Sequence, residues 1–258
     1  LDAVRKVFTH AAEPHVDPIP EDYGLGPYDK AWRQQQSVLE LCRRRTPATE
    51  GAGPDLIGWW GFDEDDGAPV ALDSSGHGLG GIVEQAGRVP GRKGKALACD
   101  GGWVLVPGDG VRFDLPALSV ECWVRTDLPG QTDKWFVNCV YGTGDSGFRL
   151  GLSDGRLAWA IPQTPWSHHL VATEVLPLGK WMHVVATYDG RVMRLYQDGA
   201  LVGSLDRVGK VQPIRTHFCL GNYDRNHQAY FTGLLDEVRF LSRALTAEEV
   251  AERAASQN

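Results

Sequence analysis

Several things are scarce in this sequence, and each scarcity excludes a class of protein. No apolar run in the 258 residues approaches the roughly 20 residues that a membrane-spanning helix needs. Positive charge is in deficit, with 26 Lys and Arg against 33 Asp and Glu and a formal net charge of −7. A mildly acidic chain lacks the broad basic surface that phosphate-backbone recognition requires, so nucleic acid is not an expected partner. The five cysteines, Cys42, Cys99, Cys122, Cys139 and Cys219, form no Cys-x-x-Cys pair and no metal-ligand spacing. All but Cys42 fall inside apolar strand-like runs, as small buried hydrophobes do. One disulfide between neighbouring strands is the alternative, although the odd count argues against a fully oxidised framework. There is no Gly-x-Ser-x-Gly elbow. The glycine-rich stretch Gly142–Gly147 joins two strands rather than opening a helix, so it offers phosphate no row of helix N-terminal amides. Leu1 is not a native start, and the chain is expected to be a mature form or a piece of something longer.

What is abundant points to short strands and tight turns. Of 31 glycines only Gly24 and Gly26 fall in the first 50 residues, and eight of the nine tryptophans accompany the rest. Residues 1–54 read as an arm. A Pro-rich stretch is followed by a helix over Tyr28–Arg45, with Ala31, Val38, Leu39 and Leu41 loosely on one side, and then by the linker TPATEGAGP. Residues 55–258 read as one domain. Leu118, Val120, Cys122 and Val124 alternate with Ser119, Glu121, Trp123 and Arg125. Met182, Val184, Ala186 and Tyr188 likewise form an apolar face opposite Trp181, His183, Val185 and Thr187. Asp-Gly pairs at 154, 189 and 198 mark turns between strands, and Asp100-Gly101 predicts a hairpin joining the runs at 95–107. A closing helix over 245–256 starts at Thr246, with Glu249 three residues on. About a dozen strands with no crossover helices predict an all-β fold: a two-sheet antiparallel sandwich with an N-terminal irregular or helical arm and a short C-terminal helix.

Six phrases in order carry a resemblance: WWGFDEDDG, LDSSGHGLGGIV, GRVPGRKGKALACDGG, LSVECWVRTD, LGKWMHVVATYDGRVMRLYQDGALVGSL and FTGLLDEVRFLSRALTAEEV. Over about residues 56–252 the chain resembles the laminin-G-like, concanavalin A-like jelly-roll family, the lectin/glucanase superfamily. The resemblance implies a jelly roll. It does not select a function, because the fold hosts lectins, carbohydrate-binding modules, glycosidases, lyases and adhesion domains. It also implies a structural Ca²⁺ at the sandwich edge, with Asp63 and Asp236 and, as a further candidate, Asp73 supplying oxygens. The alternative is that these are strand-end and turn residues with local hydrogen bonds. An extracellular or periplasmic location follows from the resemblance as well.

Two segments have the composition of a sugar platform, in which aromatic faces meet apolar sugar faces and a few planar polar groups orient the ligand. One carries Trp159, Trp166, His168 and His169; the other carries Asn222, Tyr223, Arg225 and His227. The alternative is that Trp159 belongs to the core and the others are exposed loop residues. No Glu-x-Asp-x-Glu run sets acids along one strand face, since Glu64, Asp65 and Asp66 are consecutive and Glu121 and Glu174 are isolated. That argues against a retaining glucanase. The expected function is a non-catalytic carbohydrate-binding, lectin-like domain of a secreted or larger protein, with a glycan or polysaccharide as partner. A protein-interaction or adhesion module is the alternative, and a polysaccharide hydrolase or lyase ranks third. The 1–54 arm is expected to wrap its own sandwich or to dock on another protein or subunit.

Overall fold

The computed structural model describes residues 53–106, 115–139, 147–162, 169–211, 217–221 and 230–256. The predicted Tyr28–Arg45 helix and residues 46–52 of its linker lie outside them. In chain order the strands are β1 (Leu56–Trp60), β2 (Val70–Ala71), β3 (Gly81–Glu84), β4 (Gly87–Pro90), β5 (Lys95–Ala98), β6 (Trp103–Val106), β7 (Leu118–Arg125) and β8 (Lys134–Asn138). They continue as β9 (Arg149–Ser153), β10 (Arg156–Ala160), β11 (His169–Val175), β12 (Met182–Tyr188), β13 (Val192–Gln197), β14 (Ala200–Asp206), β15 (Phe218–Leu220) and β16 (Leu234–Leu241), followed by helix α1 (Ala247–Ser256).

The strands form two eight-stranded sheets. The first runs β14-β13-β12-β7-β16-β5-β4, with β1 also paired to β16; the second runs β11-β10-β9-β8-β15-β6-β3-β2. Neighbours pair antiparallel, for example Met182 to Tyr188 of β12 against Val124 to Leu118 of β7. The alternation sends Leu118, Val120, Cys122 and Val124 inward together with Met182, Val184, Ala186 and Tyr188, into the main apolar core between the sheets. Aromatic edges lock its centre: Trp60 meets Phe218 and Phe240 at 5.6 and 5.2 Å between ring centroids, and Phe148 meets Phe240 at 5.5 Å.

Asp154-Gly155 and Asp198-Gly199 turn as the sequence predicts. Both residues of each pair have positive φ, which is what a two-residue hairpin between right-twisted strands needs. The predicted hairpin at Asp100-Gly101 is corrected. β5 belongs to the first sheet and β6 to the second, so Cys99–Gly102 is a crossing between layers. Cys99 N donates to Gly233 O at 2.9 Å, and Gly102 lies so close to the Gln85–Ala86 backbone that no side chain fits there. Cys99, Cys122, Cys139 and Cys219 are buried, and none of these four forms a disulfide with another.

Arg207 joins the layers. It is buried, and it donates to Ile161 O at 3.0 Å, Pro162 O at 3.2 Å and the Tyr188 hydroxyl at 2.7 Å. It thereby ties the end of the first sheet to the start of the connection between β10 and β11.

Candidate functional site

At one corner of the sandwich the chain leaves β1 and meets the loop Gly91–Lys95. Asp63 Oδ1 accepts from Lys95 N at 2.8 Å, and Asp236 Oδ2 accepts from Lys93 N at 2.9 Å. The acids sit on unusual backbone. Phe62 and Glu237 have φ of 58° and 51°, a region that costs a non-glycine residue energy and recurs where geometry is held for a purpose. At Glu237 the register of β16 shifts between Asp236 and Arg239, which turns Asp236 and Glu237 toward the loop. The loop accommodates them by lacking side chains. A Cβ at Gly91 would stand 2.7 Å from Asp236 Oδ2, and one at Gly94 would collide with Asp63 Oδ1. Gly61 faces both Glu237 Oε1 and Asp63 Oδ2, at 3.3 and 3.5 Å from where its Cβ would be. Asp236 is buried and its Oδ1 has no hydrogen-bond partner. Burial, helped by the charge of Glu237 and opposed by the Lys93 amide, pushes its carboxyl up to about 7.

Asp73 does not join this group. Its carboxylate accepts from Trp59 N at 3.0 Å, Ser75 N at 2.9 Å, Ser75 Oγ at 2.8 Å and Leu79 N at 2.9 Å. All its capacity goes into holding the glycine-rich turn against β1, so the metal-ligand expectation for Asp73 is corrected to a turn role.

The outward face of the first sheet carries a charged group that sequence reasoning missed. Glu121 lies under α1 and is buried; its Oε1 meets His183 Nε2 at 2.9 Å and its Oε2 accepts from Arg253 of α1 at 2.8 Å. Burial alone would raise its carboxyl. The His183 bond and the charges of Arg239 and Arg253 outweigh it and hold the group below the usual range. Arg239 also pairs with Glu237 and lies over the Trp59 ring at 4.6 Å, while Arg92 lies over Trp123 at the same distance. Glu121 and His183 are each 1% exposed, so this acid and imidazole reach no substrate and serve to seat the helix. The only signal in the sequence was an acid in an otherwise apolar strand.

The outward face of the second sheet is aromatic and close-packed. Arg149 lies over the Trp135 ring at 4.2 Å, and the His169 ring meets Trp135 edge-on at 6.0 Å. Trp103 and Tyr230 stack at 5.6 Å. Asn138, Arg149, Ala160 and His169 follow one another across adjacent strands at one end of this sheet. Segments 107–114, 140–146, 163–168 and 212–216 all begin or finish at that end, whereas 222–229 springs from the other end, between Gly221 and Tyr230.

Of the predicted platform residues, Trp159 faces inward. It is fully buried against Phe148, with ring centroids 5.7 Å apart, so its assignment to a ligand is corrected to a core role. Alternation places it there, because Leu157, Trp159 and Ile161 share the inner face of β10 and its continuation. His169 lies at the end of the outward face beside Trp135. Trp166, His168, Asn222, Tyr223, Arg225 and His227 lie outside the described residues. The two segments that hold them start from opposite ends of the sheet.

Among the described residues no helix is long and apolar enough to cross a membrane. Among curated proteins, mouse pappalysin-1 is 28% identical over 161 residues, covering 54% of this chain and 10% of the relative. The chain thus spans about a tenth of the curated relatives it matches. Among solved structures, the binding domain of Paraclostridial mosquitocidal protein 1 superposes with a TM-score of 0.62 at 16% identity, covering 78% of this chain and 52% of that one. Domain 4 of AbnA, an extracellular arabinanase of Geobacillus stearothermophilus solved with arabinotriose, gives 0.58 at 23% identity, covering 78% of this chain and 98% of that one. Residues 100–251 match the laminin G family model of the concanavalin A-like lectin/glucanases superfamily, and with two stacked antiparallel sheets the chain belongs to that superfamily.

Proposed function

We propose that this chain is a non-catalytic carbohydrate-binding module that works outside the cell or in the periplasm as part of a larger protein. The observation that carries the reading is the end of the second sheet, where Arg149 and His169 pack around the buried Trp135 ring and from which the segment holding Trp166 and His168 departs. Aromatic rings with planar polar groups beside them are the chemistry that orients a sugar, and loops on a rigid sheet are where such groups are placed. Trp166 and His168, in the connection between β10 and β11, are the proposed ligand-facing residues at this end. Asn222, Tyr223, Arg225 and His227 are the proposed ones at the other. The arabinotriose-bound neighbour supports the reading. A screen of oligosaccharides read by tryptophan fluorescence tests it. A ligand whose affinity falls about tenfold or more in Trp166→Ala, roughly the value of one lost stacking contact, is the expected result. No binding to any glycan would end it.

A structural calcium ion is proposed at the Gly91–Lys95 corner. Among the described residues no three His, Cys, Asp or Glu side chains converge as a metal cluster. The side chains supply only part of a shell, which suits an ion that takes many of its oxygens from backbone and water. The unpartnered, buried Oδ1 of Asp236 fits such an ion. Asp236 and Asp63 would hold it, and its charge would pin the end of β1 to β16.

A protein-interaction role is the second reading. Leu128, Val175 and Leu178 are 47%, 57% and 44% exposed near the Gly155 turn. A blank glycan screen would favour it.

A further inference from the structure

An aspartate followed by glycine is open to one spontaneous reaction, because no side chain on the glycine hinders its backbone nitrogen from reaching the aspartyl carboxyl. Six such pairs occur here, at Asp66, Asp100, Asp109, Asp154, Asp189 and Asp198. Asp109 lies outside the described residues, and the other five aspartates are all exposed, so exposure does not choose among them. Hydrogen bonding does. Asp154 Oδ1 accepts from Thr132 Oγ1 at 2.6 Å, and Gly155 N donates to Gln131 O at 2.8 Å. Asp189 Oδ1 accepts from Arg191 N at 2.9 Å and Val192 N at 2.7 Å, and its Oδ2 accepts from Arg194 at 2.7 Å. Asp198 Oδ1 accepts from His183 N at 2.8 Å. Asp66 Oδ1 accepts from Lys95 Nζ at 2.9 Å, a solvated pair and the weakest of these holds. Among the described residues nothing donates to the carboxylate of Asp100.

We propose that Asp100 is a modification site, the position at which this protein converts spontaneously to isoaspartate, and that the conversion loosens the joint between the two sheets. Gly101 N attacks Cγ of the Asp100 carboxylic acid. The N–Cγ bond forms, the Cγ–O bond breaks, and the hydroxyl leaves as water with the amide proton. Water then adds to the main-chain carbonyl carbon of Asp100 and breaks its bond to Gly101 N. The chain now runs through Cβ and Cγ, and the α-carboxyl hangs free. One water is lost and one is gained, with no oxidant or reductant. The surroundings leave room for the ring, since a Cβ on Gly101 would meet nothing within 4 Å. The amide of Gly101 donates to Cys99 O at 3.1 Å, across a three-residue turn that a rotation at Asp100 undoes. The consequence comes from what pins the crossing on either side. Cys99 N donates to Gly233 O at 2.9 Å, and a Cβ on Gly221 would stand 2.8 Å from Cys99 Sγ and 3.2 Å from Gly102 O. A Cβ on Gly102 would lie 2.3 Å from Ala86 N. An isoaspartate puts one more atom into the main chain between these close-packed points. The nearest pairing to give way is that of Trp103 with Glu84, where β6 begins. The inference is independent of the glycan reading.

The test ages the full chain for weeks at neutral pH and body temperature in water enriched in heavy oxygen, followed by peptide mapping. The peptide holding residue 100 should take up the heavy label and split into aspartyl and isoaspartyl forms severalfold faster than the peptides holding the other five pairs. Fastest conversion at Asp66, or at Asp109, or no conversion at Asp100, would each overturn the proposal. Asp100→Ala removes the reacting carboxyl and no described hydrogen bond, so it should fold as the parent does. Aged parent protein should melt at a lower temperature than fresh protein, in step with its isoaspartate content, while aged Asp100→Ala should keep most of its original melting temperature. An equal loss in both would show that conversion at Asp100 does not loosen the fold. Asp100→Asn forms the same ring with release of ammonia and should convert faster than the parent; a slower conversion would mean that the ring does not close here.

Discussion

Glu121 and Asp236 are both buried in the first sheet, yet their surroundings drive their carboxyls in opposite directions. Glu121 has His183, Arg239 and Arg253 within reach and is held ionised. Removing one partner from such a group leaves a buried charge alone, which costs more than the pair contributes when intact. Asp236 has backbone amides on one oxygen only, beside the like charge of Glu237, and rises to about 7. The sign of the consequence follows. The fold favours protonated Asp236, so its contribution to stability is fullest below the ordinary carboxylate value of 3.8 and is lost as pH climbs toward about 7. In metal-free buffer the stability measured by urea unfolding should therefore carry a downward component from pH 4 to 7 that Asp236→Asn removes. An unchanged pH profile in that variant would show that Asp236 does not titrate in this window.

Among the elements, α1 shows how a short helix is made to stop and start. Glu249 N donates to Thr246 Oγ1 at 3.2 Å, and Thr246 N donates to Glu249 Oε2 at 2.8 Å, a reciprocal pair that satisfies two amides at the first turn. Arg243 then clamps Glu249 through two bonds of 2.6 Å. Thr246→Ala should cost about 1 kcal/mol in chemical denaturation with the slope unchanged. This box was legible in the sequence, as were the inward faces of β7 and β12, because both are set by residues a few positions apart. The Asp100-Gly101 crossing was not. A turn dipeptide reports a local reversal, while the choice of sheet for the next strand is made by partners far away, such as Gly233 and the Gln85–Ala86 backbone. β2 has two residues, too few for any period to show. At the candidate site the sequence marked Asp236 and Asp63. It also marked Asp73, since a carboxylate in a glycine-rich turn reads alike whether it holds a cation or four protein donors. It did not mark the pairing of Glu121 with His183, which comes from two strands separated by 62 positions and joined only by register.

At the scale of the molecule, the Gly91–Lys95 corner joins the first described strand to the last through one loop. If calcium binds there as proposed, its removal by chelator should lower the melting temperature, and the loss should vanish in Asp236→Asn. Equal melting with and without chelator would rule the ion out as a structural part. The corner also bears on how the protein is made. β16 pairs with β7, β5 and β1 at once, so it is the keystone of its sheet. A ribosome delivers it after every other described strand. Until then β1 has no partner among the described strands and β5 lacks one neighbour, and the nascent polypeptide must wait with its inner surfaces uncovered. Assembly of this layer is thus deferred until β16 emerges, and the growing chain depends for its solubility on whatever shields it during that delay.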